Sequence, residues 1–221
     1  MRRFLVVAAV CASCAAVAAA QQPAGRGRGQ AALSPQQQAP IDLTGWWVSV
    51  VTEDWRWRMV TPKKGDYASM ALTDAARRVA DAWDPSKDER EGNACKAYGG
   101  AAIFRLPTRL HVTWQDATTL KVDTDAGTQT KLLHFVDPTN PSAPTPAATP
   151  LSWQGYSRAA WEFLGQVQNI GGGRGGANNP PPAAAPAGPR YGSLKVVTDH
   201  LKSGYLRKNG IPYTENAVVT E

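Results

Sequence analysis

Three strand-like segments joined by very short turns constrain the fold of this chain more than any other feature of its sequence. The segments read TRLHVTWQ, TLKVDTD and TQTKLLHFV, and the turns between them read DAT and DAG, all within residues 108–136. Turns this short join antiparallel neighbours, because a parallel connection needs a crossover of a dozen or more residues. The pattern therefore predicts an antiparallel meander.

The turn lengths also predict how these strands pair. We expect Gly127 to be left-handed at the end of a three-residue turn, so that Thr124 lies opposite Thr128. The first turn should place Trp114 opposite Leu120. One face of the meander then carries Leu110, Val112, Trp114, Leu120, Val122, Thr130, Leu132 and His134. The other carries Arg109, His111, Lys121, Asp123, Asp125 and Lys131, with Leu133 and Phe135 among these polar groups. A shift of one residue would exchange the two faces of a strand.

A fourth strand is predicted upstream, where LTGWWVSVVTEDWRWRM spans residues 43–59. Successive side chains of a strand point to opposite faces. One face of a strand from Gly45 to Met59 would carry Trp47, Ser49, Val51, Glu53, Trp55, Trp57 and Met59. The opposite face carries Asp54, Arg56 and Arg58, and we expect the tryptophan face to point inward. One short helix is predicted in LTDAARRVADAWDP, with Thr73 as its N-cap and Asp84-Pro85 at its end.

The N-terminus predicts export. Residues 1–20 have a basic start, an apolar stretch and an Ala-x-Ala site, which is typical of a signal peptide cleaved after Ala20. The mature protein should therefore be periplasmic or secreted. Since no other apolar run is long enough to span a bilayer, we expect no stable membrane insertion. Residues 21–40 should be a disordered leader, and residues 41–221 one β domain with a disordered Gly/Pro/Ala-rich insertion at 165–189.

Charge and cysteine content exclude some functions and leave others open. Of the 24 basic residues, five lie in the signal peptide and the two Gly/Pro-rich segments, which leaves 19 against 18 acidic residues and predicts no nucleic-acid partner. His111, His134 and His200 are far apart in sequence, so no metal or cofactor is predicted. Cys95 is a buried thiol, a reactive thiol or half of a disulfide with a partner outside this chain. The strand pattern of ENAVVTE at the end suggests a fragment of a longer protein.

The motif Gly45-Trp46-Trp47 resembles the opening motif of lipocalins and related calycin barrels. The resemblance implies a mostly-β, antiparallel lipocalin-like up-and-down barrel, with Trp47 closing one end of a small-molecule cavity. Longer stretches, among them VSVVTEDWRWRMVTPKKGDYAS, AWDPSKDE and GYLRKNG, look like an uncharacterised family of exported bacterial proteins. That family implies export and architecture but no chemistry.

The inward tryptophans are the main candidate site. Trp47, Trp55, Trp57 and Trp114, with Glu53, would line a cavity that holds an apolar or aromatic molecule, unless these rings simply pack a core. A bulge after Asp54 would instead turn Arg56 and Arg58 inward, where they would bind an anionic head group. Otherwise these arginines pair with Asp54 or meet water.

Two other functions are compatible with the sequence. Glu53 and His134 are the only titratable groups expected inside, where one of them would act in proton transfer in an isomerase- or hydratase-like enzyme. Against this, Glu53 would lie at the mouth of the cavity and His134 at a strand end. The third hypothesis is an envelope protein-interaction module that docks a partner through residues 165–189. The sequence predicts no oligomeric state.

Overall fold

A computed structural model of the chain describes residues 33–137, 143–163 and 191–221. The predicted signal peptide, residues 21–32 of the predicted leader and the predicted insertion at 165–189 lie outside the described residues. Residues 33–40, the rest of that leader segment, have defined positions. They include a short helix, α1 (Pro35–Gln38). The Ser34 side chain caps this helix by accepting a hydrogen bond from the backbone N–H of Gln37. The Trp161 indole donates to the Pro35 carbonyl at 2.8 Å, which attaches this segment to the sheet.

The described residues contain more than the one predicted helix. After α1 come α2 (Trp55–Met59), α3 (Asp74–Asp81) and α4 (Pro85–Arg90), and there are 3₁₀ helices at Ala94–Tyr98, Ile103–Arg105 and Ala126–Thr128. The helix predicted after Thr73 is confirmed as α3, and the Thr73 hydroxyl accepts from the Ala76 amide at 3.2 Å. Within the described residues, no helix combines the length and apolar character that crossing a bilayer requires.

Nine strands make up the β structure of the described residues. They are β1 (Gly45–Val48), β2 (Arg109–Asp116), β3 (Thr119–Thr124), β4 (Gln129–Phe135), β5 (Tyr156–Phe163), β6 (Gly192–Asp199), β7 (Gly204–Arg207), β8 (Ile211–Tyr213) and β9 (Val219–Thr220). Seven of them form one sheet in the order β1-β2-β3-β4-β5-β6-β9, while β7 and β8 form a separate hairpin. The predicted mostly-β fold is confirmed at this level.

The sheet is mixed, with one parallel pair in an otherwise antiparallel arrangement. Strand β5 runs parallel to β4, while every other pair in the large sheet is antiparallel. The chain between Phe135 and Tyr156 is long enough for the crossover that a parallel pair needs. Among the described residues β1 and β9 are the two edges and do not pair with each other, so these residues do not form a closed barrel.

The register of the meander is confirmed at its first turn and wrong at its second. Trp114 lies opposite Leu120 as predicted. Thr124, however, lies opposite Gln129, because the second turn has four residues rather than three. Gly127 is left-handed as predicted, with a φ of 64°, but Thr128 is left-handed too, with a φ of 48°. The extra residue moves the β4 pairing by one position.

This shift exchanges the two faces of β4. Leu133 lies opposite Leu120 in the core, while His134 lies opposite Thr119 on the other face of the sheet, so the prediction of an inward His134 is wrong. The core cluster consists of Val112, Leu120, Val122, Leu133, Ala159 and Val196. Lys131 is only 1% exposed beside these groups, although we predicted it on the outer face. Its ammonium lies 3.4 Å from the Glu221 carboxylate.

The predicted strand from Gly45 to Met59 is also wrong. Strand β1 ends at Val48, and residues 55–59 form α2. Asp54, with a left-handed φ of 49°, turns the chain into that helix. Since residues two positions apart on a helix point about 200° apart, Trp55 and Trp57 do not share a face. Trp55 is 65% exposed, whereas Trp57 is half-buried.

The turn that sets the β4 register gives a stability prediction. A Cβ at Gly127 would lie 2.5 Å from Cγ of the Tyr98 ring, in a backbone conformation that L-residues avoid. We expect Gly127→Ala to destabilise the protein by about 2–4 kcal/mol, from left-handed strain plus overpacking. Urea unfolding measures this free energy.

Gly92→Ala is the matched control. Gly92 is also left-handed, with a φ of 71°, but a Cβ there meets nothing within 4 Å. The Gly92→Ala substitution should therefore lower the free energy of unfolding by only about 1 kcal/mol, from the left-handed strain alone. An equal decrease in the free energy of unfolding of the two variants would contradict the contact between this turn and Tyr98.

Candidate functional site

The four tryptophans predicted to share one wall occupy different places. Trp47 lies on the core face of β1 at the sheet edge, 45% exposed, and its indole donates to the Leu43 carbonyl at 2.9 Å. Trp114 packs on Phe135 with ring centroids 5.4 Å apart. Trp55 is exposed on α2. Of the four, Trp57 lines a small cavity within the described residues.

This cavity, which we call the Trp57 cavity, has a volume of about 110 Å³. It lies between α2, the 3₁₀ helix that ends at Arg105, and the end of β7. Its apolar wall consists of Trp57, Met59, Pro62, Leu106, Pro107 and Leu206. Its cationic wall consists of Arg58, Arg105, Arg207 and Lys208, and no acidic side chain of the described residues lines it. The arrangement combines a ring surface with positive charge.

Helix α2 is tied to the 3₁₀ helix by two polar contacts. The Arg105 guanidinium lies 2.6 Å from the Asp54 carboxylate, and Nε of Arg58 donates to the Arg105 carbonyl at 2.9 Å. The left-handed Asp54 residue thus both starts the helix and pairs with Arg105. These contacts place Arg58 and Trp57 on the same side of α2 as the cavity. A helix begins after Asp54 in place of the bulge considered as an alternative. Arg58 then lines the cavity, whereas Arg56 lies 3.7 Å from the Asp66 carboxylate.

Arg207 is the most buried cation of the cavity. It is 9% exposed, and one terminal nitrogen donates to the Ala68 carbonyl at 2.8 Å. Its guanidinium carbon lies 5.3 Å from the centroid of the Trp57 ring, a cation–π distance. Burial lowers the pKa of Arg207, repulsion by Arg105 lowers that pKa further, and the nearby Asp54 and Asp66 carboxylates oppose the shift. Positive charge is therefore crowded at this wall.

Two further groups of the cavity lack polar partners. The Lys208 ammonium sits 5.0 Å from the centroid of the Tyr98 ring and has no carboxylate partner among the described residues. The Trp57 indole N–H is buried and has no acceptor within the described part of the chain. A buried donor without an acceptor costs about 1–3 kcal/mol. Buried donors without a partner are rare in folded proteins, so this N–H calls for an explanation, and a ligand that accepts from it is one.

A larger depression is a weaker candidate. It has a volume of about 510 Å³ and lies between Val48 and the turn at Asp125, but it is widely open to solvent. Its one cation, Arg109, is paired with the Asp125 carboxylate at 2.5 Å. Neither an unpaired charge nor a buried ring distinguishes this surface. We therefore take the Trp57 cavity as the candidate site.

Glu53 and His134 are not brought together. Glu53 is exposed just before α2, whereas His134 stacks on Tyr156 with ring centroids 4.7 Å apart, on the sheet face away from the core. Burial lowers the pKa of His134, and the charge of Asp116 partly opposes that shift. No hydrogen bond or ion pair joins Glu53 to His134 among the described residues. Neither residue lines the Trp57 cavity.

Sequence reasoning missed a polar network around Asp199. Its carboxylate accepts hydrogen bonds from the Thr145 hydroxyl at 2.6 Å, from His200 at 2.9 Å and from Arg158 at 2.9 Å. Thr145 and Arg158 lie 54 and 41 residues from Asp199, so no local motif predicts their contacts with it, whereas His200 is its direct neighbour. Burial alone would raise the pKa of Asp199, but the bonds from Thr145 and His200 and the charge of Arg158 together lower it.

Metal and thiol chemistry have little support from the geometry. Within the described ranges, no group of three or more His, Cys, Asp or Glu side chains is arranged to hold a metal ion. Cys95 is a free thiol, partly buried, and the Gln129 amide lies 3.6 Å from its sulfur. The Gln129 amide in turn accepts from Gln154 at 3.1 Å. These contacts fit a structural thiol held among amides.

The Asp199 network predicts an acid-dependent loss of stability. Because the folded pKa of Asp199 lies below its usual 3.8, its contribution is complete above that pH and is lost as the pH falls through the folded pKa. We expect Asp199→Asn to lower the free energy of unfolding by about 1–3 kcal/mol at pH 7. The variant should then lose less stability than the unmodified protein as the pH drops below 3.8. Urea unfolding over a pH series measures both effects.

Glu215→Gln is the control for this series. Glu215 is exposed and makes no ion pair within the described residues. Its substitution should leave both the stability at pH 7 and the acid slope unchanged. An acid slope that Asp199→Asn does not alter would contradict the assignment.

Three comparisons with known proteins give no further identification. The chain matches no protein-family model, no curated protein and no solved structure. What the chain does therefore has to be inferred from its own residues, and above all from the Trp57 cavity.

Proposed function

We propose that this chain is an exported, non-catalytic protein that binds a small molecule in the Trp57 cavity. Export is supported by the basic, apolar and Ala-x-Ala pattern of residues 1–20. Binding is supported chiefly by Trp57, whose ring forms a wall of the cavity while its buried N–H lacks an acceptor among the described residues. Ligand sites typically pair an apolar wall with a few convergent polar groups. The Trp57 cavity has both.

The size of the cavity limits the ligand. Sites for drug-sized molecules have volumes of about 300–1,000 Å³, and an engineered apolar cavity of about 150 Å³ binds benzene. At about 110 Å³ the Trp57 cavity accommodates roughly one ring or a short chain. We therefore expect a compact ligand that lies against Trp57. This narrows the apolar or aromatic ligand predicted from the sequence and moves its site from a barrel interior to the side of α2.

We also propose that the large sheet is part of a lipocalin-like barrel. Its first six strands are neighbours in chain order, which is the arrangement of an up-and-down barrel. Trp47 of the Gly-x-Trp motif lies on the core face, opposite Leu110. The parallel pair of β4 and β5 is a departure from that pattern. The Trp57 cavity lies outside the sheet interior and does not depend on closure.

The enzyme and interaction hypotheses have weaker support. A proton-transfer enzyme needs its acid or base beside the substrate, but Glu53 is exposed and His134 lies on the other face of the sheet. We therefore expect Glu53→Gln and His134→Asn to leave ligand binding unchanged. The interaction hypothesis depends on residues 165–189, which lie outside the described residues.

Two tryptophans of α2 offer a matched pair of variants to test the proposal. Trp57→Leu removes the ring wall and should weaken the affinity for a cavity ligand by roughly tenfold, which corresponds to about 1.4 kcal/mol. Trp55→Leu removes an exposed ring two residues away and should leave the affinity unchanged. Native mass spectrometry of the exported protein identifies a retained ligand, and calorimetry on each variant measures its affinity.

The folding of both variants is checked by thermal unfolding. The proposal is contradicted if folded Trp57→Leu binds the retained ligand as tightly as the unmodified protein. It is also contradicted if Trp55→Leu weakens binding equally, because the two variants would then report a general effect on α2.

A further inference from the structure

We propose that the ligand of the Trp57 cavity is a small organic anion, a carboxylate carried on a single ring. This inference rests on the proposed function and adds the chemical class of the ligand. The cavity has more positive than negative charge, its arginines keep hydrogen-bond donors without protein acceptors, and the Trp57 ring lies beside them.

The charges around the cavity do not cancel. Four cations line it, and only Arg105 has a carboxylate partner, Asp54 at 2.6 Å. Arg58, Arg207 and Lys208 form no ion pair within the described residues. The nearby Asp66 carboxylate is instead 3.7 Å from Arg56, which does not line the cavity. Like charges crowded around a small, partly enclosed space repel one another, and a bound anion relieves that repulsion.

The arginines keep donors free for such an anion. Arg58 uses Nε to bond the Arg105 carbonyl, and Arg207 uses one terminal nitrogen to bond the Ala68 carbonyl. Since a guanidinium carries five N–H donors, each side chain retains several without a protein acceptor among the described residues. Arg207 is nine-tenths buried, so its orientation is held by packing before any ligand arrives. A pre-positioned fork of this kind suits the two oxygens of a carboxylate.

The apolar wall argues for an organic body behind the charge. The side chains of Met59, Pro62 and Leu206 lie among the cavity residues and offer no hydrogen bond that an inorganic anion needs. A bare phosphate would leave this surface uncovered. A planar ring instead lies against Trp57 and the neighbouring aliphatic side chains while its carboxylate reaches the arginines. The small volume restricts the body to about one ring.

Lys208 adds a further positive charge to the cationic wall. Its ammonium lies over the Tyr98 ring, and no carboxylate among the described residues neutralises it. A lysine is a point charge on a flexible stem, so it adds attraction for an anion without demanding one geometry. Its removal therefore tests charge, while removal of Arg58 tests charge and hydrogen bonding together.

Calorimetric titration of the mature protein with benzoate and with benzamide tests the inference. The two molecules have the same ring and differ in charge, and each protein–ligand affinity is measured at low and at high NaCl. We expect benzoate to bind about tenfold more tightly than benzamide, because its hydrogen bonds to the cations are charge-assisted. Added salt should weaken benzoate binding and leave benzamide binding almost unchanged.

Substitutions of two cavity cations test whether benzoate binds in the Trp57 cavity. Arg58→Gln should weaken benzoate binding by about tenfold and Lys208→Gln by several-fold, while both leave benzamide binding within about twofold. Lys202→Gln is the matched control, because Lys202 also lies over a ring, that of Trp153 at 5.4 Å, but does not line the cavity. It should change neither affinity. Thermal unfolding confirms that each variant is folded, and the half-buried Lys208 provides a test independent of the helix contact that Arg58 makes.

The outcomes separate this inference from the proposed function. Equal binding of benzamide and benzoate, lost in Trp57→Leu, would overturn the anion class and leave small-molecule binding intact. Displacement of benzoate by inorganic phosphate at equal concentration would overturn the claim that the ligand carries an organic ring. If benzoate binds to Arg58→Gln and to Lys208→Gln as well as it binds to the unmodified protein, the assignment of its site to the Trp57 cavity is wrong. If neither ring binds and a ligand retained through purification is neutral, the inference fails and the proposed function stands.

Discussion

The four-residue turn between β3 and β4 is the constraint on which the rest of the sheet depends. Its two left-handed residues, Gly127 and Thr128, set the pairing of Thr124 with Gln129. From that pairing follow the core position of Leu133, the burial of Lys131 and the outward position of His134. The turn also contacts Tyr98, whose ring in turn lies beneath Lys208 at the candidate site. One loop length therefore decides both which residues form the core and what supports one wall of the cavity.

Local signals in the sequence were sufficient for part of this fold. The α3 helix could be predicted because Thr73, an apolar spacing and Asp84-Pro85 all lie within one short segment. The Trp114–Leu120 pairing was predicted from a three-residue first turn, although a bulge at Gln115 next to a two-residue turn produces it. The β4 register could not be predicted, because a left-handed Thr128 is unfavourable for a β-branched residue and is tolerated only in tertiary context. The parallel pairing of β5 with β4 likewise depends on a long connection that carries no strong pattern.

The residues of the candidate site were likewise only partly predictable from the sequence. Trp57 and Arg58 were singled out from the sequence, but on a strand whose two faces would have kept them apart. Alternation of large and charged residues is compatible with a short helix as well as a strand, and here Asp54 turns the chain into a helix. Arg105, Arg207 and Lys208 could not be identified, since Arg105 lies 102 and 103 residues before the other two. Three-dimensional proximity alone makes them one cationic wall.

The brevity of α2 has a consequence for how the site works. An isolated helix of five residues is far too short to be stable in water, so its order depends on the contacts of Asp54 and Arg58 with Arg105. A ligand that bridges Trp57 and Arg207 would add a further tie to the same helix. Occupancy and local order are then thermodynamically linked: whatever fills the cavity also suppresses fraying of α2, and whatever frays α2 empties the cavity. The degree of order of α2 would therefore report whether the Trp57 cavity is occupied.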